Sequence, residues 1–229
     1  MSRVHNFYPG PAVLPLSVLE EAQRGLLDYQ GMGAGIMEIS HRSEQFEVIL
    51  KRAQQRIRRL FNLPGDTHVL FFQGGARLQF AMVPMNFLHK KAAYINTGNW
   101  SKGAIAEASK MGAVSCLASS AEQGFDRIPH FESSMLNGDE DYLHITTNNT
   151  IYGTQWHHTP PTEGVPLIAD MCSDIASRPF DFSPYDMVYA GAQKNLGPAG
   201  VTVVLLKDTF VQKAKQGLPA MLSYQTFID

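Results

Sequence analysis

Asp186-Met187-Val188-Tyr189-Ala190-Gly191-Ala192-Gln193-Lys194-Asn195-Leu196-Gly197-Pro198 runs a short apolar segment directly into a lysine set among small residues and glycines. The segment Met187 to Ala190 reads as a buried strand and the lysine as the head of the loop that follows it. Upstream, Pro166-Leu167-Ile168-Ala169-Asp170 has the same form and ends on a carboxylate. Strand ends are where open parallel sheets place ligand sites. Lys194 and Asp170 are therefore the first candidates for chemistry.

Working outward, five more strands are expected at His68 to Phe72, Ala92 to Asn96, Ala113 to Leu117, Tyr142 to Thr146 and Val201 to Leu206. Helical spacing appears after Pro15 (Leu19, Ala22, Leu26, Leu27) and again from Ser43 (Phe46, Ile49, Leu50, Ala53, Ile57, Leu60, Phe61), the second helix carrying a basic, solvated face. A third helical pattern, Leu78 to Leu88, is interrupted by Pro84. Alternation of these elements predicts an α/β chain built mainly on one sheet. Asn6-Phe7-Tyr8-Pro9-Gly10-Pro11-Ala12 is too rich in proline and glycine for a helix and reads as an extended arm. Asn137-Gly138-Asp139-Glu140-Asp141 reads as a solvated acidic turn.

Composition narrows the function class. The chain has 229 residues, 44% of them hydrophobic, enough for a sizeable core. Nineteen basic against 21 acidic residues give a net charge of −2 with no long basic run, which disfavours nucleic acid as a partner. Cys116 and Cys172 form neither a disulfide framework nor a metal cluster and are read as reduced, packed thiols, so no metal is expected. Without a signal-like N-terminus or a span of about 20 apolar residues, no membrane is expected and the location is read as cytoplasmic.

Three local patterns suit an anionic, flat aromatic cofactor. Gln73-Gly74-Gly75-Ala76-Arg77 lies between a strand and a helix start, where free backbone N–H groups and the helix dipole favour a phosphate. Asn96-Thr97-Gly98-Asn99-Trp100-Ser101 places an indole at a strand–helix junction, able to stack on a ring. Thr147-Asn148-Asn149-Thr150-Ile151-Tyr152-Gly153 offers hydroxyl and amide groups to a phenolic oxygen or a phosphate. Pyridoxal phosphate needs an amine for its aldehyde and a carboxylate for its ring nitrogen, and Lys194 with Asp170 can supply both.

In order and spacing these segments, with Ser40-His41-Arg42-Ser43, resemble the phosphoserine aminotransferase family of class V pyridoxal-phosphate enzymes along the whole chain. The resemblance implies a fold-type I aminotransferase large domain, three-layer α/β/α with a mainly parallel seven-stranded sheet. Residues 1–15 would be an N-terminal arm and 16–229 the cofactor-binding domain, with the smaller C-terminal domain of the family missing. It implies a Schiff-base role and proton transfer for Lys194, and pairing of Asp170 with the ring nitrogen. Trp100 would stack on the ring and Thr150 would bond its phenolic oxygen, while Gly75, Ala76, Arg77 and Gln193 would surround the phosphate.

His41, Arg42 and Arg77 would be the substrate-side cations. The implied reaction moves an amino group reversibly between L-glutamate and 3-phosphohydroxypyruvate, in serine and possibly pyridoxine biosynthesis, by a homodimer with sites at the subunit interface. Other readings are another class V member, such as an alanine-glyoxylate aminotransferase or a cysteine desulfurase, and a catalytically impaired fragment of the fold. Some family members have serines just before the Gly10-Pro11 pair where this sequence has Tyr8-Pro9, so a substrate contact by a hydroxyl is not expected there.

Overall fold

The computed structural model describes residues 3–228; Met1, Ser2 and Asp229, the extremities of the expected arm and domain, lie outside the described residues. All seven expected strands form, as β1 (Thr67–Gln73), β2 (Lys91–Asn96), β3 (Ala113–Ser119), β4 (Leu143–Thr146), β7 (Leu167–Asp170), β8 (Met187–Gly191) and β9 (Val201–Lys207). A two-stranded ribbon, β5 (Asn148–Asn149) and β6 (Thr154–Gln155), is added between β4 and β7.

The sheet order is β1-β9-β8-β7-β4-β2-β3. Pairing is parallel from β3 to β8, and β9 runs against both β8 and β1. The C-terminal ends of β1, β2, β4, β7 and β8 consequently share one edge of the sheet. This is a fold-type I aminotransferase arrangement.

Alternating side chains fill two cores, one on each face. Tyr94, His144, Ile168, Tyr189 and Val204 pack with the helices α3 (Arg77–Phe87), α4 (Asn99–Ala108) and α5 (Asp208–Val211). Ile95, Ile145, Ala169, Val188 and Leu205 face the other way, against Phe61, Phe182 and Tyr185. Strands buried on both faces read as continuous apolar runs, which is why their sequences showed no alternation. The outer layer on the second face is carried by the end of α2 (Glu44–Leu60) and by irregular segments rather than by a full set of helices.

Several local expectations need correction. Pro84 does not interrupt α3: the helix runs through it, and Phe80, Met82, Val83, Pro84 and Phe87 are all buried. Tertiary packing here outweighs the local cost of proline, about 3 kcal/mol in an isolated helix. Helix α1 (Leu16–Leu27) starts after Pro15 as expected, and Ser43 caps α2 by accepting the Phe46 N–H. Neither helix contains a buried residue, so the apolar sides read from their spacing are only partly covered.

Cys116 is exposed on the edge strand β3, not packed, while Cys172 is half-buried. The segment 137–141 is more than a solvated turn: Glu140 is buried, accepts the N–H groups of Asn137 and Gly138, and lies beside Lys91 at the start of β2.

Candidate active site

The lysine loop is built by its backbone. Strand β8 ends at Gly191, the Ala192 N–H donates to Val201 O, and the N–H groups of Leu196 and Gly197 both turn back to Ala192 O. Lys194 thus sits on a closed turn at the strand end, half-buried. The N-terminal arm crosses over it, with Ala12 N–H donating to Gln193 O at 2.7 Å. At Gly10, φ is +155° and an added Cβ would lie 3.0 Å from Lys194 Cγ, so glycine is required for the arm to approach the lysine this closely.

Asp170 ends β7, paired in register with Thr146 of β4 on one side and Tyr189 of β8 on the other. It is 4% exposed, and its Oδ1 accepts the Cys172 N–H at 2.9 Å. Burial pushes its carboxyl up to about 7, although that hydrogen bond and the charge of Lys194 pull it down. A cation placed against this group would recover much of the lost solvation.

The glycine turn after β1 is fastened to β9. Gly74, at φ +90°, donates its N–H to Gly200 O and accepts at its own oxygen from the Thr202 hydroxyl. The first turn of α3 bonds Leu78 N–H to Gly75 O and Gln79 N–H to Ala76 O. The N–H groups of Gly75, Ala76 and Arg77 precede those bonds, as the first donors of any helix do, and form an anion-attracting end.

Trp100 lies in the first turn of α4. Its indole Nε1–H donates to the Thr150 hydroxyl at 3.1 Å, and the Arg77 guanidinium stands 5.7 Å from its ring centroid.

These elements enclose one cleft of about 550 Å³. Of the residues expected from sequence, Gly75, Ala76, Arg77, Trp100, Thr150, Asp170, Gln193 and Lys194 all line it. His41 and Arg42 do not: they are exposed in the loop before α2. Asn148, from the segment expected to offer amide groups, lines the cleft too, and Pro9, Gly10, Phe80, Ile151, Cys172 and Ser173 also line it and were missed as contacts. For Gly10 the Gly-Pro pair signalled only a break from regular structure in the arm, with no sign of a cleft contact. None was visible for Phe80, whose helical spacing reads as ordinary core.

Burial pushes the Cys172 thiol up to about 11, with the neighbouring Asp170 charge adding to it. A thiol held protonated in this way is a poor nucleophile, which argues against desulfurase chemistry. Gln193 Oε1 is buried without a hydrogen-bond partner. Among the described residues, no group of three or more His, Cys, Asp or Glu is arranged to hold a metal, and no helix is long and apolar enough to cross a membrane.

A lysine and a buried carboxylate at neighbouring strand ends, facing a helix N-terminus and an indole, define an aminotransferase-type site. The chain belongs to the aminotransferase class-V family, whose model matches residues 4–222. It is 51% identical to the phosphoserine aminotransferase of Shouchella clausii, over 100% of this chain and 62% of that protein. The enzyme of the same name from Desulfosudis oleivorans is 52% identical, over 99% and 63%.

Among solved structures, phosphoserine aminotransferase from Bacillus circulans subsp. alkalophilus superposes with a TM-score of 0.93 at 47% identity, covering 99% of this chain and 63% of that one. The pyridoxal-phosphate-bound enzyme from Trichomonas vaginalis gives 0.89 at 32% identity, covering 99% and 64%. The chain thus spans a little under two thirds of the length of these relatives.

Proposed function

We propose that this chain is the cofactor-binding domain of a phosphoserine aminotransferase, carrying pyridoxal phosphate on Lys194. The observation that carries the reading is the convergence of Lys194, Asp170, the start of α3, Trp100 and Thr150 on one cleft. The donor set fits the cofactor. Gly75 to Arg77 would take the phosphate, Trp100 would lie against the ring and Thr150 would donate to its phenolic oxygen. Asp170 would hold the proton on the ring nitrogen, since a buried carboxylate gains most from a cation in contact. Gln193 lines the same cleft with its Oε1 unpartnered, and its Nε2 would be the donor that a phosphate needs.

When bound, pyridoxal phosphate supplies an electron sink for the bonds of the substrate α-carbon. The chain's residues do the rest. Lys194, freed when the substrate amine takes its place, would take the proton from the substrate α-carbon as general base and deliver it to the cofactor's C4′ carbon as general acid. The arm at Pro9 and Gly10 limits access of water to the lysine. Arg77 would provide a cation for a substrate anion, and phosphate and γ-carboxylate are both distal anions that one cationic pocket can serve.

His41 and Arg42, exposed outside the cleft of their own chain, would serve the cleft of a second copy, making the protein a homodimer. The exposed apolar residues of the arm and α1, among them Phe7, Leu16 and Leu27, supply surface for such an association.

The test is a half-reaction. Protein reconstituted with pyridoxal phosphate is mixed with glutamate, O-phosphoserine or alanine, and the visible cofactor band is followed together with the keto acid released. Glutamate and phosphoserine should discharge the band and alanine should not; the reverse preference would place the chain with another class V activity. Coexpressed Arg42→Ala and Lys194→Ala chains should recover activity that neither variant has alone, because one intact site forms across the heterodimer.

A further inference from the structure

Asn149 is fully buried in β5 and does not line the cleft. Its Oδ1 accepts the backbone N–H of Trp100 at 3.0 Å. Its Nδ2 donates to the hydroxyls of Thr97 at 2.7 Å and Ser101 at 3.2 Å. Those two hydroxyls lie 3.1 Å apart, and Thr154 donates to Thr97 O at 2.8 Å. The amide group is therefore satisfied entirely by the first turn of α4 and by Thr97, two residues before it.

The approach is tight. At Gly98, φ is +148° and an added Cβ would lie 2.9 Å from Asn149 Cγ and Oδ1. No larger residue permits the helix start to press onto this amide.

Asn149 is thus joined to two cleft residues at once: to Thr150 by the chain, and to Trp100 by a hydrogen bond. Those two are in turn joined to each other by the indole N–H, which donates to the Thr150 hydroxyl. A hydroxyl that accepts one hydrogen bond becomes a stronger donor of its own proton. The three bonds form a closed loop, Asn149 to Trp100 to Thr150, in which displacement of any member moves the others.

We propose that Asn149 is a positioning residue that sets Trp100 and Thr150 in mutual register, so that the Thr150 hydroxyl is presented to the cleft as a donor rather than an acceptor. Toward the cofactor this favours the deprotonated ring oxygen. That last clause rests on the function proposed above; the positioning itself does not.

The test separates the two. In cofactor-free protein, the indole N–H resonance of Trp100 is assigned by its loss in Trp100→Phe, and its exchange with solvent is measured. Asn149→Ala and Thr150→Val should each accelerate that exchange, by up to about tenfold for one hydrogen bond lost. In reconstituted protein, both substitutions should raise the pH midpoint of the cofactor's visible absorbance and weaken cofactor binding. The double variant should be no worse than the weaker binder of the two, because both act through one loop.

Ser101→Ala, which leaves the Asn149 bonds to Trp100 and Thr97 in place while removing the Ser101 hydroxyl from Asn149 Nδ2 and from Thr97, should give a smaller shift in the same direction and serves if Asn149→Ala does not fold. Unchanged indole exchange in Asn149→Ala or, failing that, in Ser101→Ala would overturn the positioning role. Additive effects of Asn149→Ala and Thr150→Val, or a loss of melting temperature with no movement of the absorbance midpoint, would overturn it as well. Faster indole exchange in protein that shows no cofactor band at all would sustain the positioning role while defeating the function proposed above.

Discussion

Asp170→Asn should stabilise the cofactor-free chain while weakening its hold on the cofactor. The carboxyl is 4% exposed and pushed from 3.8 up to about 7, chiefly by burial. Between those two values the folded chain holds a proton that the unfolded chain releases. The contribution to stability therefore falls as pH rises through that window, and the full cost of the buried charge is present above it.

Asparagine removes the charge and keeps an oxygen to accept the Cys172 N–H. A shift of roughly three units, at about 1.4 kcal/mol each, bounds the gain near ~4 kcal/mol at pH 8. At pH 4 the gain should vanish. Urea unfolding of both proteins after removal of cofactor, at pH 8 and pH 4, measures this difference. The same substitution should weaken pyridoxal phosphate binding, since a neutral amide cannot hold a ring-nitrogen proton as a carboxylate does. An Asn variant less stable than the parent at pH 8, or a gain independent of pH, would refute the reasoning.

His144 should produce the opposite slope. Burial holds it down to about 3 from 6.5, with Nε2 bonded to the Tyr189 hydroxyl at 2.9 Å and the ring stacked on Tyr94. The unfolded chain takes up a proton below 6.5 that the folded chain refuses until about 3, so stability falls on acidification by up to about 1.4 kcal/mol per pH unit. From 6.5 down to 3.8 this opposes the Asp170 trend, so Asp170→Asn should expose an acid limb that the parent masks, seen as melting temperatures that drop faster with pH. Gly10→Ala places a Cβ 3.0 Å from Lys194 Cγ at a φ of +155°; it should weaken cofactor binding about tenfold by titration with little change in melting temperature, because Gly10 itself is exposed.

The seven strands were legible because each is a short apolar run closed by turn residues, a signal that survives burial on both faces. Lys194 and Asp170 were legible for a related reason: a charge at the end of an apolar strand stands out. What the sequence concealed was placement in three dimensions. His41 and Arg42 look like substrate cations by motif, yet lie outside the cleft of their own chain. Asn149 reads as a polar turn residue open to ligand, but its partners Thr97 and Ser101 are roughly fifty residues away and only the fold brings them together. Pro84 reads as a helix break because local propensity carries no information about the six other buried residues of the same helix. The ribbon β5–β6 is two residues per strand, below any length at which periodicity can speak.

The central claim is that Lys194 carries the cofactor. Protein reconstituted with pyridoxal phosphate is reduced with borohydride, digested and mapped by mass spectrometry. The account predicts the pyridoxyl label on the peptide containing Lys194, and loss of that label in Lys194→Ala. Label on another lysine, or none on protein that binds the cofactor, would contradict it.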